Sequence, residues 1–253
     1  MRNIALLLSY DGTNYHGWQT QENAVTVQET IEHALSLATG EKITLYGCGR
    51  TDAGVHAKNY VASFRTSCTI PAHRIPAASR RFLPPDITIW EGMEVPADFH
   101  ARFSCVKKEY VYSFYSGTAP DPFLRRYAAY TPYPIRLDEM QKAAAHYTGT
   151  HDFAAFCASG SIVKSTVRNV FSSKVEQNGP LTQFFVSADG FLYNMVRIMA
   201  GTLLYVSLGK LEAEDIPAVL AGKRRMDAGI TAPPQGLCMN RVWYHEAEFT
   251  QRV

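Results

Sequence analysis

Apolar residues along the first hundred positions recur with two periods, one typical of strands and one typical of helices. The helical period is clearest over 25–38, where Val27, Ile31 and Leu35 fall on one face. Pro84 and Pro85 end a second predicted helix. The predicted order is therefore βαββαβ, with strands at 4–10, 43–46, 60–64 and 87–95 and helices at 25–38 and 71–82.

The rest of the chain repeats this order. The predicted strands lie at 109–115, 167–175, 181–187 and 237–244, and the predicted helices at 138–147 and 191–208. Two successive βαββαβ units indicate an α+β protein of two ferredoxin-like halves, with a cleft between them. We place the boundary between residues 1–104 and residues 105–253. The stretch 149–166 has no clear period and is predicted to be a functional or partly mobile loop. The stretch 229–236 is predicted to be stiff but not helical.

Composition sets limits on the partners of the chain. It has 253 residues, 46% hydrophobic and 19% charged, as is typical of a globular protein, and a net charge of +2. Nucleic-acid binding would therefore depend on local basic patches, which occur at 80–81, 107–108, 125–126 and 223–225. Each patch taken alone is more often a solvated surface.

The cysteines and the apolar runs indicate the cellular compartment of the protein. The five cysteines are widely spaced and contain no C-x-x-C pair, which favours a reducing cytoplasm over a disulfide framework or a zinc site. The apolar run 4–8 is too short for a signal peptide. Asn194 and Arg197 interrupt the apolar helix 191–208, so no membrane span is expected.

The stretch Gly47 to Ala57, GCGRTDAGVHA, places one carboxylate on a glycine-rich loop after a predicted strand. Asp52 is either a turn former or a reagent. Arg50 and His56 lie close enough in sequence for a cation and a titratable ring to converge on it. A metal site formed by Asp52, His56 and His100 is the competing interpretation, although this spacing matches no well-specified ligand motif.

Two further positions indicate chemistry in the second half. Arg197 lies on an otherwise apolar helix, where it either extends to water or needs a partner, and Asp52 is a candidate. Tyr110 and Tyr112 follow Lys107 and Lys108 on a predicted strand. Such rings either belong to the core or stack on nucleic-acid bases while the cations hold phosphates.

These stretches together resemble the TruA family of tRNA pseudouridine synthases, whose signature is similar to residues 49–57. The other matching stretches extend along nearly the whole chain and are 10–13, 17–19, 83–86, 99–104, 152–153, 191 with 195–197, and 231–237. The chain departs from the family pattern at Cys48, where alanine is more usual, and at Lys107 and Lys108, where arginines are more usual.

The resemblance implies the pseudouridine synthase fold, with a mixed, mainly antiparallel sheet. It implies isomerisation of uridine to pseudouridine in the anticodon arm of tRNA, at tRNA positions 38 to 40, without a cofactor or a metal. It assigns the catalytic carboxylate, acting as nucleophile on C1′ or as base on the ribose, to Asp52. Arg50 would hold the place or backbone of the flipped nucleotide, Tyr110 would stack on the uracil, and Arg197 would pair with Asp52. It also implies a homodimer.

Two alternatives from other functional classes stay open. An RNA-binding module or RNA chaperone would use the open sheet faces without chemistry, although pure binding needs no carboxylate among phosphates. A metal-dependent hydrolase would be inhibited by chelators.

Overall fold

The computed structural model describes residues 1–160, 163–245, 247 and 249. These residues contain ten strands and five α-helices. They divide into two compact units, the described parts of Met1–Lys107 with Met239–Val253, and Lys108–Cys238. The α+β class predicted from the sequence is confirmed.

The first unit follows the predicted βαββαβ order. Its elements are β1 (Arg2–Tyr10), α1 (Val27–Thr39), β2 (Tyr46–Gly47), β3 (His56–Thr66), α2 (Ile75–Ser79) and β4 (Ile87–Val95). Strand β1 lies between β3 and β4 and is antiparallel to both, while β2 pairs antiparallel with β3. This is the arrangement of a ferredoxin-like unit. Strand β10 (Leu237–Tyr244) also neighbours β3.

Two predicted elements of the first unit are shorter than expected, for identifiable reasons. Ile43 and Leu45 are buried, but their N–H groups donate to the side chains of Ser36 (3.1 Å) and Glu32 (2.8 Å) on α1, so only Tyr46–Gly47 pairs as a strand. The helix predicted at 71–82 is a short α-helix flanked by 3₁₀ turns. It begins only at Ile75, because Pro76 has no N–H to donate to the carbonyl four residues earlier.

The second unit contains five strands and three α-helices of the described chain. Its elements are β5 (Cys105–Ser116, from Lys108 onward), β6 (Ala129–Thr131), α3 (Leu137–Ala145), β7 (Gly149–Asp152), β8 (Val167–Asn178), β9 (Leu181–Ala188), α4 (Met195–Ser207) and α5 (Ile216–Gly222). The strand order is β5-β9-β8-β7 with antiparallel pairing, and β6 is parallel to β5. The prediction of a mixed, mainly antiparallel sheet is confirmed.

Several elements of the second unit differ from the prediction. The stretch 149–166 begins with β7 and a 3₁₀ turn at Ala154–Phe156, while residues 161 and 162 of that stretch lie outside the described residues. Helix α4 begins only at Met195, because Asn194 has φ 58° and a regular helix cannot include that conformation. The stretch 229–236 contains a 3₁₀ turn at Pro234–Gly236. No helix in the described part of the chain is long and apolar enough to cross a membrane.

Candidate active site

Asp52 lies on a tight turn between β2 and β3. The N–H of Val55 donates to the carbonyl of Asp52 (3.2 Å), and Gly54, the third residue of the turn, has φ +77°. A positive φ at this position is what a type II turn requires and what glycine supplies. The side chain of Asp52 is half-buried. The turn-forming role of this stretch thus belongs to the backbone and to Gly54.

The residue before Asp52 anchors this turn to the N-terminal segment. Thr51 is buried, and its carbonyl accepts a hydrogen bond from the N–H of Trp18 (3.1 Å). Its hydroxyl is 2.8 Å from the hydroxyl of Tyr10. On the other side of Asp52, the N–H of Gly54 donates to the carbonyl of Tyr15 (3.2 Å). Hydrogen bonds on both sides of Asp52 therefore hold its backbone in place.

Aromatic rings lie beside the entry to the same loop. Trp18 stacks on Tyr60 at a centroid distance of 4.1 Å, and Tyr10 meets Tyr60 edge-on at 5.6 Å. All three rings are buried, and the Tyr60 hydroxyl donates to the carbonyl of Gly49. The sequence stretches 10–13 and 17–19, which matched the family pattern, thereby position the Asp52 loop.

The stretch 83–86 fixes this N-terminal segment in turn. The hydroxyl of Tyr15 donates to the carboxylate of Asp86 (2.6 Å), and the N–H of Asp11 donates to the Asp86 carbonyl (2.9 Å). Burial, with the hydrogen bond to Asp86 and the negative charge of that carboxylate, raises the pKa of Tyr15 well above its ordinary value. Tyr15 is therefore a neutral hydrogen-bond donor at physiological pH.

His56 and His100, two of the three candidate metal ligands, have other contacts in the structure. His56 is buried, its Nδ1 accepts from the N–H of Gly12 (3.0 Å), and the same atom is 3.1 Å from the Asp11 carboxylate. His100 packs between Tyr46 and Phe103 at centroid distances of 5.0 and 4.5 Å. The described residues contain no group of three or more His, Cys, Asp or Glu side chains suited to hold a metal ion.

In the second unit, Tyr110 and Tyr112 differ in their surroundings. Tyr110 is 7% exposed and meets Phe191 edge-on at 5.1 Å. Tyr112 is fully buried and its hydroxyl donates to the carbonyl of Pro233 (2.7 Å). Burial raises the pKa of Tyr112, an effect that the positive charge of Arg197 opposes. Tyr112 is thus a core residue, while Tyr110 packs against a residue of the stretch that matched the family pattern.

Arg197 is half-buried on the first turns of α4 and is held by its neighbours. Its Nε donates to the carbonyl of Ala232 (2.8 Å), and its own carbonyl accepts from the N–H of Ala232 (3.0 Å). Its Nη1 donates to the side-chain oxygen of Asn194 (2.8 Å). The stretch 231–237 therefore orients Arg197, a role that the sequence pattern did not reveal.

The predicted basic patches differ in exposure and in the partners of their side chains. Arg80, Arg81, Arg125 and Arg126 are exposed. The three cations of the patch at 223–225 already have partners within the protein. Lys223 pairs with Asp152 (2.7 Å) and Arg224 with Asp227 (2.8 Å). Arg225 donates to the carbonyl of Gly229 (2.8 Å). Lys107 lies over the ring of Trp243 at 3.9 Å. The patches at 80–81 and 125–126 thus offer more charge to a phosphate backbone than the patch at 223–225.

The predicted site residues fall in both units. Arg50, which is exposed, and Asp52 share one loop of the first unit, and Tyr110 and Arg197 belong to the second. The pairing of Arg197 with Asp52 stays a prediction. Thr51 and Tyr10 received no role from the sequence pattern, because their contact joins residues 41 positions apart. Asn194 received none either, although its contact with Arg197 spans only three positions.

Comparison with known proteins identifies the family. A model of the tRNA pseudouridine synthase family matches residues 7–104 and 143–245. A protein of Thermoanaerobacter sp. strain X514 named tRNA pseudouridine synthase A is 47% identical over 96% of this chain and 100% of its own length. A protein of Moorella thermoacetica with the same name is 49% identical over 95% of this chain and 99% of its own length.

Among solved structures, the archaeal box H/ACA sRNP Nop10-Cbf5 complex contains a chain that superposes with a TM-score of 0.36 and 11% identity, over 93% of this chain and 47% of that one. A likeness of that size carries no functional argument. The sequence relatives and the family match are decisive, because they extend over most of the chain at high identity. The chain belongs to the tRNA pseudouridine synthase family, whose members are isomerases that act on tRNA.

Proposed function

We propose that this chain isomerises uridine to pseudouridine in the anticodon arm of tRNA, at positions 38 to 40, with Asp52 as the catalytic nucleophile. The observation that carries the proposal is the fixed presentation of Asp52. Hydrogen bonds from Trp18 to Thr51 and from Gly54 to Tyr15 hold the backbone on both sides of it. A reacting group gains most when its position is set before the substrate arrives.

The reaction needs one such carboxylate. The N1–C1′ bond of uridine breaks and a C5–C1′ bond forms, while the C5 proton leaves to solvent and N1 gains a proton. Atoms and electrons balance within the nucleoside, so no oxidant, reductant or added water is required. A glycoside hydrolase, in contrast, uses a second carboxylate for the water or the leaving group.

The remaining roles follow from the chemistry of a base taken out of its stack. We propose that Arg50, an exposed cation two residues before Asp52, holds the place or backbone of the flipped nucleotide. Tyr110 would stack on the uracil, and Arg197 would pair with the Asp52 carboxylate. The support for Arg197 is the pair of hydrogen bonds that its guanidinium donates to the side-chain oxygen of Asn194 and the carbonyl of Ala232, which fix its orientation.

The test is tritium release from tRNA labelled at uracil C5, in the presence of a chelator. We expect release by the wild type and by Asp98→Asn, an exposed aspartate of the same unit, and only background release by Asp52→Asn. Release by Asp52→Asn at the wild-type rate would refute the assignment of Asp52. Tight tRNA binding without any release by the wild type would favour an RNA-binding module, and inhibition by the chelator would favour metal-dependent chemistry.

We further propose that the chain acts as a homodimer in the cytoplasm. Phe123, Tyr127 and Tyr133 are 88%, 53% and 59% exposed, and aromatic rings beside Arg125 and Arg126 are typical of protein interfaces. The five cysteines, all within the described residues, form no disulfide, as is usual in a reducing compartment. The mass of the wild type in solution, measured by sedimentation and compared with that of Phe123→Ala, tests the proposed dimer.

A further inference from the structure

An exposed group of rings lies on the first unit, outside the Asp52 turn. Phe103 is 76% exposed and Tyr46 is 48% exposed. The ring of His100 lies between them, at centroid distances of 4.5 Å from Phe103 and 5.0 Å from Tyr46. The guanidinium of Arg102 is 5.6 Å from the centroid of Phe103. We call these four residues the ring surface.

The backbone beneath the ring surface is well fixed. Tyr46 pairs with Ser63 of β3, and the hydroxyl of Ser63 accepts from the N–H of Ala101 (3.1 Å). The N–H groups of His100 and Arg102 donate to the Ser104 hydroxyl and to His100 Nδ1, both at 3.1 Å. An ordered scaffold therefore presents the rings to solvent. Exposing large aromatic side chains to water is unfavourable in free energy.

The chemistry of the ring surface matches one kind of ligand. Partial burial, and the positive charge of Arg102, lower the pKa of His100, so its ring is neutral at physiological pH. Neutral rings next to one exposed guanidinium offer flat faces for bases and a charge for a phosphate. Unpaired nucleotides present both groups together, whereas bases inside a duplex are already stacked.

The place of the ring surface in the chain links it to the proposed chemistry. Tyr46 begins β2, and the chain runs from β2 through Gly49 directly into the turn that carries Asp52. A nucleotide held at Tyr46 would therefore bind to the same unit as the catalytic loop. The sequence pattern assigned no RNA contact to this surface: His100 was a candidate metal ligand there, and residues 99–104 were otherwise part of the family resemblance.

We propose that Tyr46, His100, Arg102 and Phe103 form a docking surface on which unpaired bases of the substrate RNA stack. The inference rests on the proposed function for the identity of the RNA. It concerns binding, so its test needs no turnover, and its failure can be told apart from a failure of the proposed chemistry.

The experiment measures the affinity of the full chain for an RNA hairpin with an unpaired loop and for a fully paired duplex with the same stem. We expect Phe103→Ala to weaken hairpin binding about fivefold to a hundredfold, the range found when a base-stacking ring is removed. Duplex binding should stay within twofold. Phe103→Trp should retain hairpin affinity, while Phe103→Leu, which keeps apolar volume, should not.

Two controls separate stacking from other causes. Leu37→Ala removes an exposed apolar side chain from α1 of the same unit and should leave hairpin affinity unchanged. Arg102→Gln should reduce the magnitude of the slope of log affinity against log salt concentration by about one, as expected for the loss of one phosphate contact. With 2-aminopurine in the loop, the wild type should quench its fluorescence and Phe103→Ala should not.

Two results would overturn the inference. One is an unchanged hairpin affinity for both Phe103→Ala and Tyr46→Ala. The other is a change of oligomeric state in these variants with RNA contact intact, which would assign the ring surface to a second copy of the chain. If the wild type binds hairpins through Phe103 but releases no tritium, the docking surface stands and the proposed chemistry fails.

Discussion

Gly17 lies against the carbonyl of Thr51: a Cβ atom at Gly17 would be 2.4 Å from that oxygen, and Gly17 has φ +87°. We predict that Gly17→Ala lowers the rate of pseudouridine formation at least about tenfold, because a displaced Thr51 moves the neighbouring Asp52, and a shift of about 1 Å can reduce catalysis a hundredfold. Single-turnover kinetics with saturating enzyme measures this rate.

Gly40 provides the matched control for Gly17. It also has a positive φ, +74°, but no heavy atom lies within 4 Å of the position of its Cβ. Alanine in a left-handed conformation costs about 1–2 kcal/mol of stability, so both variants should have a lower melting temperature. Only Gly17→Ala should lose activity, and equal activities of the two variants would contradict the coupling between Gly17 and Asp52.

The hydroxyls of Tyr10 and Thr51 provide a second test of the same loop. They are 2.8 Å apart and buried. Tyr10→Phe leaves the buried Thr51 hydroxyl without this partner and should cost about 1–3 kcal/mol of unfolding free energy. Thr51→Val removes the same bond, so the double variant should cost less than the sum of the single ones, by about 0.5 kcal/mol or more. Urea denaturation of all four proteins measures the coupling, and strict additivity would show that the contact contributes nothing.

The periodicity of apolar residues was sufficient to predict the elements of the fold wherever the local pattern and the tertiary contacts agree. The βαββαβ order of the first unit and the long strands of the second could be predicted because alternating and helical patterns are local. The pattern failed at 43–46, where Ile43 and Leu45 alternate as in a strand but donate to side chains of α1. It also missed α5 and β6, which are short and whose backbone geometry depends on neighbouring elements.

The candidate site was predictable in its reactive groups but not in its support. A carboxylate between an arginine and a glycine is visible in the sequence, and so is an arginine on an apolar helix. The bond from Trp18 to Thr51 joins residues more than thirty positions apart, and the two bonds between Arg197 and Ala232 join residues 35 positions apart. No local spacing encodes such contacts, which is why Thr51 received no role from the sequence pattern.

Asn194 offers a test of how Arg197 is oriented. It has φ 58°, and its side-chain oxygen accepts from Arg197 Nη1. Asn194→Gly tolerates this φ but removes the oxygen, so we predict about a tenfold lower kcat with a melting temperature close to that of the wild type. Asn194→Asp keeps the oxygen and should retain most of the activity. A wild-type kcat for Asn194→Gly would show that Asn194 does not position Arg197.

Asp152 and Lys223 should make the stability of the second unit depend on pH. Their charged groups are 2.7 Å apart, and the Asp152 carboxylate also accepts from Thr166 Oγ1 (2.5 Å) and from the N–H of Ala154 (3.1 Å). The hydrogen bonds from Lys223 and then from Thr166 lower the pKa of Asp152 below its ordinary value of 3.8. Because the folded pKa is below the unfolded one, the stabilisation is complete above the unfolded pKa and is lost as the pH falls through the folded pKa.

We therefore predict that Asp152→Asn lowers the unfolding free energy at pH 7 by about 1 kcal/mol or less, since the Lys223 side chain is 57% exposed and solvent screens the pair. The difference between the wild type and Asp152→Asn should stay constant from about pH 7 to pH 5 and shrink below the ordinary aspartate pKa of 3.8. In a Lys223→Met background the same substitution should cost less. Urea titrations at several pH values measure the difference, and a cost that is as large below pH 3 as at neutral pH would show that the ionised carboxylate is not what stabilises this contact.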